Sequence, residues 1–82
     1  MIRVKMIYFA QAREAAGTKG EEVILEGSPR ISTALSKAYA AHPRLSGLEK
    51  TVKVALNEEI ILDDAVLHEG DRVALLPPVV GG

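Results

Sequence analysis

The chain has 82 residues and a formal net charge of −1, which gives no basis for proposing a nucleic acid as its partner. This length predicts one small domain, and 48% apolar residues are enough to bury an aliphatic core. Cysteine is absent, which excludes disulfides, thiolate metal sites and cysteine nucleophiles. No apolar run approaches the roughly 20 residues that cross a bilayer, and the N-terminus lacks the apolar core of a signal peptide. We therefore expect a cytoplasmic protein with no membrane partner.

The N-terminal part of the chain predicts two strands joined by a short helix. Residues 2–9 alternate as a strand does, and Ile7 and Phe9 on its second face predict that both faces are covered there. Residues 10–16 are rich in helix formers and stop at Gly17, which favours a short helix. Residues 21–26 read as a second strand, antiparallel to the first.

The middle of the chain predicts its one long helix, beginning after residue 28 with Ser28 or Ser32 as N-cap and Pro29 in its first turn. Pro43 disfavours helical angles in the residue before it, so the helix should end near His42. A stripe of apolar side chains predicts the face that covers the sheet. The stripe consists of Ile31, Leu35, Ala38 and Tyr39.

The C-terminal half predicts three more strands. Residues 44–50 read as a loop, 52–57 as a third strand, and 60–62 as a short returning strand after the turn at Asn57. Residues 72–76 form a last strand that is apolar on both faces, which favours a central position beside the first strand. The fold class predicted is α+β, with a ubiquitin-like β-grasp among the few candidate topologies. We expect a mixed sheet of four to five strands in a domain over residues 1–76, and a flexible tail over residues 77–82.

The tail is the stretch most suggestive of function. Pro77 and Pro78 make a stiff, extended exit from the last strand. Val79 and Val80 are apolar, whereas an idle tail is usually polar. Two glycines follow, and a chain without Cβ atoms can pass through a narrow channel. The pattern favours a carboxylate presented to another protein, with an inert chain end as the alternative.

Other polar residues give weaker signals. His42 and His68 have no partner in the sequence pattern for a triad or a metal site and are predicted to be helix-end and turn residues. The acidic pairs at 58–59 and 63–64 are predicted to be solvated turn residues. Arg13 with Glu14 is compatible with a surface ion pair or with a functional role. A basic rim for an acidic partner is a further hypothesis, formed by Arg72, Lys50 and Lys53.

Three stretches of the sequence form a familiar pattern: residues 8–14 (YFAQARE), 54–57 (VALN) and 69–82 (EGDRVALLPPVVGG). Together they resemble the MoaD family, the small sulfur-carrying subunits of molybdopterin synthase, and the resemblance spans essentially the whole chain. Two departures from the family pattern are Leu75 and Leu76, where aromatic residues are frequent, and Val80, where Ser or Thr is frequent.

The resemblance implies a mechanism in which Gly82 is the reactive residue. A MoeB-like partner would use ATP to adenylate the Gly82 carboxylate, and a sulfur donor, such as a cysteine desulfurase or a rhodanese-like protein, would convert it to a thiocarboxylate. The large synthase subunit would supply the acids and bases that transfer this sulfur to cyclic pyranopterin monophosphate, in a heterotetramer. The chain itself would bind no metal and no cofactor. The residues expected to contact partners are Gly81, Val80, Val79, Pro78, Pro77, Leu76, Leu75, Phe9 and Arg13.

Three alternatives stay open at this stage. A ubiquitin-like modifier conjugated to lysines through Gly82 needs the same adenylation and the same Gly-Gly end. A thiamine-type sulfur carrier also ends in Gly-Gly but generally lacks the double proline. A β-grasp interaction domain with an inert tail would lose no function when the last two glycines are deleted.

Overall fold

The computed structural model describes residues 1–78, and its five strands form one sheet in the order β2-β1-β5-β3-β4. Two α-helices and a 3₁₀ helix connect them. In chain order the elements are β1 (Ile2–Tyr8), α1 (Ala10–Ala16), β2 (Gly20–Leu25), α2 (Ile31–Ala41), the 3₁₀ helix (Pro43–Leu48), β3 (Lys53–Leu56), β4 (Glu59–Ile61) and β5 (Arg72–Leu76).

The sheet has the mixed topology of a β-grasp. β1 pairs parallel with β5 and antiparallel with β2, and β3 pairs antiparallel with both β5 and β4. The apolar last strand therefore lies at the centre beside the first strand, which confirms the predicted fold class. The predicted division of the chain after residue 76 coincides with the end of β5, whereas Val79, Val80, Gly81 and Gly82 lie outside the described residues.

One face of the sheet carries the core. The alternating residues Val4, Met6 and Tyr8 of β1 are each at most 1% exposed, and Val73 and Leu75 of β5 are fully buried beside them. α2 covers this face through side chains that include Ile31, Ala34 and Ala38. Leu35 and Tyr39, which belong to the predicted stripe, are only half-buried. Ala34, which the predicted stripe did not include, is fully buried.

The start of α2 differs from the prediction. Its N-cap is Arg30, whose backbone N–H donates to Thr33 Oγ1 at 3.1 Å. Ser28 lies before the helix, and Ser32 lies inside its first turn. Asp64 accepts hydrogen bonds from the Ser32 backbone N–H at 2.7 Å and from its hydroxyl at 2.8 Å. A carboxylate distant in sequence therefore satisfies the helix end, which local sequence rules do not foresee.

Two other predicted segments are also revised. Residues 44–50, predicted as a loop, lie largely within the 3₁₀ helix, because Leu45 is fully buried and anchors this segment to the core. The turn between β3 and β4 uses Asn57 and Glu58, with φ of 50° and 74°. Two consecutive positive φ angles give the two-residue hairpin turn whose twist matches that of the strands.

The second face of the sheet, which carries Ile7 and Phe9, is open. The prediction that both faces are covered at this end of the first strand is therefore wrong. Ile7 is half-buried, and Phe9 is 40% exposed. No described element covers these residues, because α1, α2 and the 3₁₀ helix contact one another and the buried face. The open face is therefore available for contact with another molecule. No described helix is long and apolar enough to cross a membrane.

Gly20 is expected to be essential for the close pairing of β1 and β2. It lies opposite Ile7, and a Cβ at this position would lie 2.6 Å from the backbone oxygen of Met6. We expect Gly20→Ala to lower the free energy of unfolding in urea by about 1–3 kcal/mol, since backbone must move to relieve the clash. Gly47→Ala is the matched control, because nothing lies within 4 Å of its added Cβ. Equal losses for both variants would contradict the contact.

Candidate functional site

Pro77 and Pro78 follow directly on β5, at the centre of the sheet. β5 is paired on both sides up to Leu75, and Leu76 is paired with Lys53 of β3 alone. The Phe9 backbone N–H donates to Leu75 O at 3.4 Å. Pro77 is half-buried and Pro78 is exposed. Because proline has no N–H to donate, the ladder stops here.

An apolar depression lies on the open face beside this exit. It has a volume of about 380 Å³. Phe9 is 40% exposed and Ile60 52% exposed, which is unusual for such large apolar side chains grouped together. The ion-paired side chains of Glu58 and Arg72 also line this depression. We call its apolar lining the apolar patch, and it consists of Ile7, Phe9, Ala55, Ile60, Ala74 and Leu76.

Of the two leucines predicted to contact a partner, only Leu76 can do so in this structure. Leu76 lines the apolar patch, whereas Leu75 is fully buried in the core. The alternation of a strand sends neighbouring side chains to opposite faces. The inclusion of Leu75 among the surface residues is therefore corrected, because its side chain supports β5 from the opposite side.

Arg13 connects α1 with the end of β1. Its Nε donates to the Tyr8 backbone oxygen at 3.3 Å, and its side chain is exposed. Among residues 1–78 it forms no ion pair within 4.0 Å, with Glu14 or with any other carboxylate. The structure therefore contradicts the surface ion pair and leaves the guanidinium facing solvent beside the open face.

The hypothesis of a basic rim holds least well for Arg72. Its Nη2 lies 2.7 Å from Glu58 Oε2, so a neighbouring carboxylate already balances its charge. Lys50 follows the 3₁₀ helix and lies outside the sheet, and Lys53 stands at the start of β3. The described structure does not bring these cations into one group.

His42 has a partner that the sequence reading missed. Its Nε2 lies 2.6 Å from Glu21 Oε2, and the Tyr8 hydroxyl donates to the same oxygen at 2.5 Å. The rings of Tyr8 and His42 meet edge to face, 5.8 Å apart. Glu21, Val23 and Leu25 are alternate residues of β2 and lie on the same, inward face. This alternation is the sequence signal from which the inward position of Glu21 could have been inferred.

The three side chains form a structural link between both strands of the hairpin and the end of α2. Burial, followed by the bond to Glu21, raises the pKa of Tyr8 well above its ordinary value, so the hydroxyl remains a donor. Partial burial opposes ionisation of Glu21, but the hydrogen bonds from Tyr8 and His42 prevail and lower its pKa below 4.5.

The remaining candidate acids and His68 have structural roles. Asp71 accepts hydrogen bonds from Asn57 Nδ2 at 3.0 Å and from the His68 backbone N–H at 2.8 Å. Burial opposes ionisation of Asp71, but these bonds lower its pKa. The bonds from Ser32 likewise lower the pKa of Asp64. Within residues 1–78 no three acidic or histidine side chains are grouped so that they could hold a metal ion.

The Glu21 link predicts a specific dependence of stability on pH. Because folding lowers the pKa of Glu21 from 4.5, its contribution is complete above pH 4.5 and is lost as the pH falls through the folded value. We expect Glu21→Gln to lower the free energy of unfolding by about 1 kcal/mol at pH 7, and the difference from wild type to vanish in acid. Urea denaturation across pH measures this, with Glu22→Gln as control. A difference that persists in acid would contradict the charge-based link.

The fold and the site together define a class. The first and last strands pair in parallel at the centre of a mixed sheet, and α2 covers one face of that sheet, which is the arrangement of a ubiquitin-like β-grasp protein. Among solved structures, SAMP1 from Haloferax volcanii matches with a TM-score of 0.88 and 30% identity, over 98% of this chain and 99% of that chain.

The sequence comparisons give the family. A family model described as the ThiS family matches residues 6–82. The molybdopterin synthase sulfur carrier subunit of Chlamydomonas reinhardtii is 37% identical, over 99% of this chain and 100% of the relative. The protein of the same name from Mycobacterium tuberculosis is 35% identical over 100% of both chains. This chain therefore belongs to the ThiS family. Within it, these relatives are molybdopterin synthase sulfur carrier subunits, in agreement with the predicted resemblance to the MoaD family.

Proposed function

We propose that this protein is the sulfur carrier subunit of a molybdopterin synthase in the cytoplasm. The observation that carries the proposal is the full-length similarity to relatives of that name, within a family match that extends to Gly82. The fold supports it, because the tail begins at the end of a central strand and beside an exposed apolar patch. A partner that binds the patch would thereby receive the tail at a fixed starting point.

The chemistry begins at the Gly82 carboxylate. A carboxylate oxygen attacks the α-phosphorus of ATP in an adenylating partner of the MoeB type, and pyrophosphate leaves. The terminal sulfur of a persulfide on the sulfur donor then attacks the acyl-adenylate, and AMP leaves with one of the carboxylate oxygens. A thiol of the donor cleaves the resulting acyl disulfide, which releases the Gly82 thiocarboxylate and leaves a disulfide on the donor. The donor is a cysteine desulfurase or a rhodanese-like protein. The chain supplies the carboxyl group, and its partners supply the nucleotide and the sulfur.

The thiocarboxylate acts as sulfur donor in the large subunit of the synthase. There the sulfur attacks a carbon of cyclic pyranopterin monophosphate and displaces an oxygen substituent, which joins the precursor to Gly82 as a thioester. Water then hydrolyses the thioester, so the sulfur stays on the precursor and the Gly82 carboxylate is regenerated, with acids and bases that belong to the large subunit. Holding the sulfur on a tail replaces a bimolecular encounter with free sulfide by a reaction within a complex, which lowers the entropic part of the barrier. Two small subunits and two large subunits form the heterotetramer.

Docking to the large subunit uses the apolar patch. Phe9, Ile60 and Leu76 give this surface its exposed apolar area, and burial of such side chains contributes about 25 cal/mol for each Å² removed from water. Arg13 stands beside the end of β1 and contributes a charge at the rim.

A change at Leu76 tests this docking. We expect Leu76→Asp to weaken binding to the large subunit by at least tenfold, roughly 1.4 kcal/mol or more, because it places a charge in the contact. Isothermal titration calorimetry measures the dissociation constant. Leu62→Asp is the control, since Leu62 is 100% exposed and lies outside the apolar patch. Equal affinities of the two variants would show that the patch is not the contact.

The mass of the intact protein tests the carrier chemistry. We expect incubation with the adenylating enzyme, ATP and a sulfur donor to add the mass difference between sulfur and oxygen, located in the C-terminal peptide by fragmentation. A variant that lacks the last two glycines should gain no mass and should unfold at the same urea concentration as wild type.

For Gly82→Ala we expect loss of sulfur transfer with the fold intact, because the added methyl crowds the adenylation site.

A second function is a protein modifier. The observation that favours it is the match to a relative named small archaeal modifier protein 1, from Haloferax volcanii, at 32% identity over 90% of this chain and 94% of the relative. In that case the mass experiment finds Gly82 joined to lysine side chains by an isopeptide bond, and no gain of sulfur.

A further inference from the structure

A second cavity lies on the open face, and its lining is basic. It has a volume of about 370 Å³ and is lined by Lys5, Ile7, Arg13, Lys19 and Gly20. We call it the basic pocket. Lys5 and Ile7 project from β1, Gly20 lies opposite Ile7 on β2, and the backbone oxygen of Lys19 accepts from the Tyr8 N–H at 2.8 Å. The pairing of β1 with β2, together with α1 between them in the chain, thus brings these three cations to one cavity.

The cations of the basic pocket form no ion pairs with the described residues around them. Within residues 1–78, Lys5, Arg13 and Lys19 form no ion pair within 4.0 Å. The nearest carboxylate along the ladder is Glu22, which lies opposite Lys5 in the pairing of β1 with β2. All three cationic side chains are exposed to solvent.

Other cations of the same face differ in this respect. Arg3 Nε lies 3.4 Å from Glu69 Oε2, and Arg72 Nη2 lies 2.7 Å from Glu58 Oε2. Three cations that form no ion pair therefore line one cavity of the open face, although the whole chain has a net charge of −1.

The basic pocket is continuous with the apolar patch. Ile7 lines both cavities, so a protein that covers the patch also approaches the pocket. Removing unpaired charges from water costs several kcal/mol for each ion unless opposite charges compensate. A partner that brought only apolar groups to this surface would bind poorly, and a partner with carboxylates at the matching position would be selected.

We propose that the basic pocket receives a group of aspartate or glutamate side chains from the large synthase subunit, and that this contact selects and orients the partner before the tail enters it. The inference rests on the proposed function, since it names the partner that covers the apolar patch. The two surfaces then have separate roles. The patch supplies most of the binding free energy, and the pocket supplies specificity and the rate of association.

Charge reversal in the pocket tests the electrostatic part. We expect the double variant Lys5→Glu/Lys19→Glu to reduce the association rate constant with the large subunit of the same organism by about tenfold at low salt. The reduction should shrink as the salt concentration rises toward 0.5 M, because screening weakens it. Surface plasmon resonance over a salt series measures both effects.

The matched control is Arg44→Glu/Lys50→Glu, which makes the same change in net charge. Both residues are exposed and lie in or just after the 3₁₀ helix, outside the lining of the basic pocket. We expect the control to reduce the rate constant much less than the pocket variant does. Equal reductions for the two variants would mean that only net charge matters, and would overturn the proposal.

Zero-length cross-linking identifies the group that occupies the pocket. A carbodiimide joins a lysine amine to a carboxylate in direct contact, so the complex should yield peptides in which Lys5 or Lys19 is linked to Asp or Glu of the large subunit. Cross-links found only at other lysines would overturn the proposal, as would pocket dependence seen only with the adenylating enzyme.

The outcomes also separate this inference from the proposed function. If the wild-type protein forms a thiocarboxylate and binds the large subunit, but the pocket variant binds equally fast, only the inference fails. If the wild type neither gains sulfur nor binds the large subunit, both fail. Urea denaturation of the variants shows whether they are folded.

Discussion

The parallel pairing of β1 with β5 is the constraint on which the rest of the structure depends. It places Met6 beside Val73 and Tyr8 beside Leu75 at the centre of the sheet, where all four side chains are fully buried. Parallel strands cannot be joined by a tight turn, so the intervening chain must cross the sheet, and α2 does so over the buried face. The same pairing sets the end of β5 next to Phe9, so one interaction builds the core and positions the tail.

The two faces of the sheet have different tasks as a result. One face is covered by α2 and is closed off by the hydrogen bonds of Tyr8, Glu21 and His42. The other face carries the apolar patch and the basic pocket, and neither is needed to close the core. Stability and recognition are therefore separated across a single layer of backbone. Residues on the open face can change to suit a partner with little effect on folding.

Much of this arrangement follows from local patterns in the sequence. Alternation identifies the strands, Gly17 and Pro43 end the helices, and the apolar character of β5 predicts its central position. The side-chain groups are harder, because they depend on register. Glu21 meets Tyr8 and His42, and Lys5 approaches Lys19, only once the hairpin is aligned. Asp64 caps α2 from 32 residues away. Periodicity assigns such residues to a face but does not say which neighbour they meet there.

The position of β5 has a mechanical consequence. A partner that holds the tail and moves exerts a pull along the axis of β5, and this strand is hydrogen-bonded to β1 on one side and to β3 on the other. Such a load acts in shear, so many bonds on both ladders must fail together, whereas a strand peeled from an edge loses its bonds one at a time. The domain can therefore bear force through its C-terminus, and threading and withdrawal of the tail need not unfold the carrier.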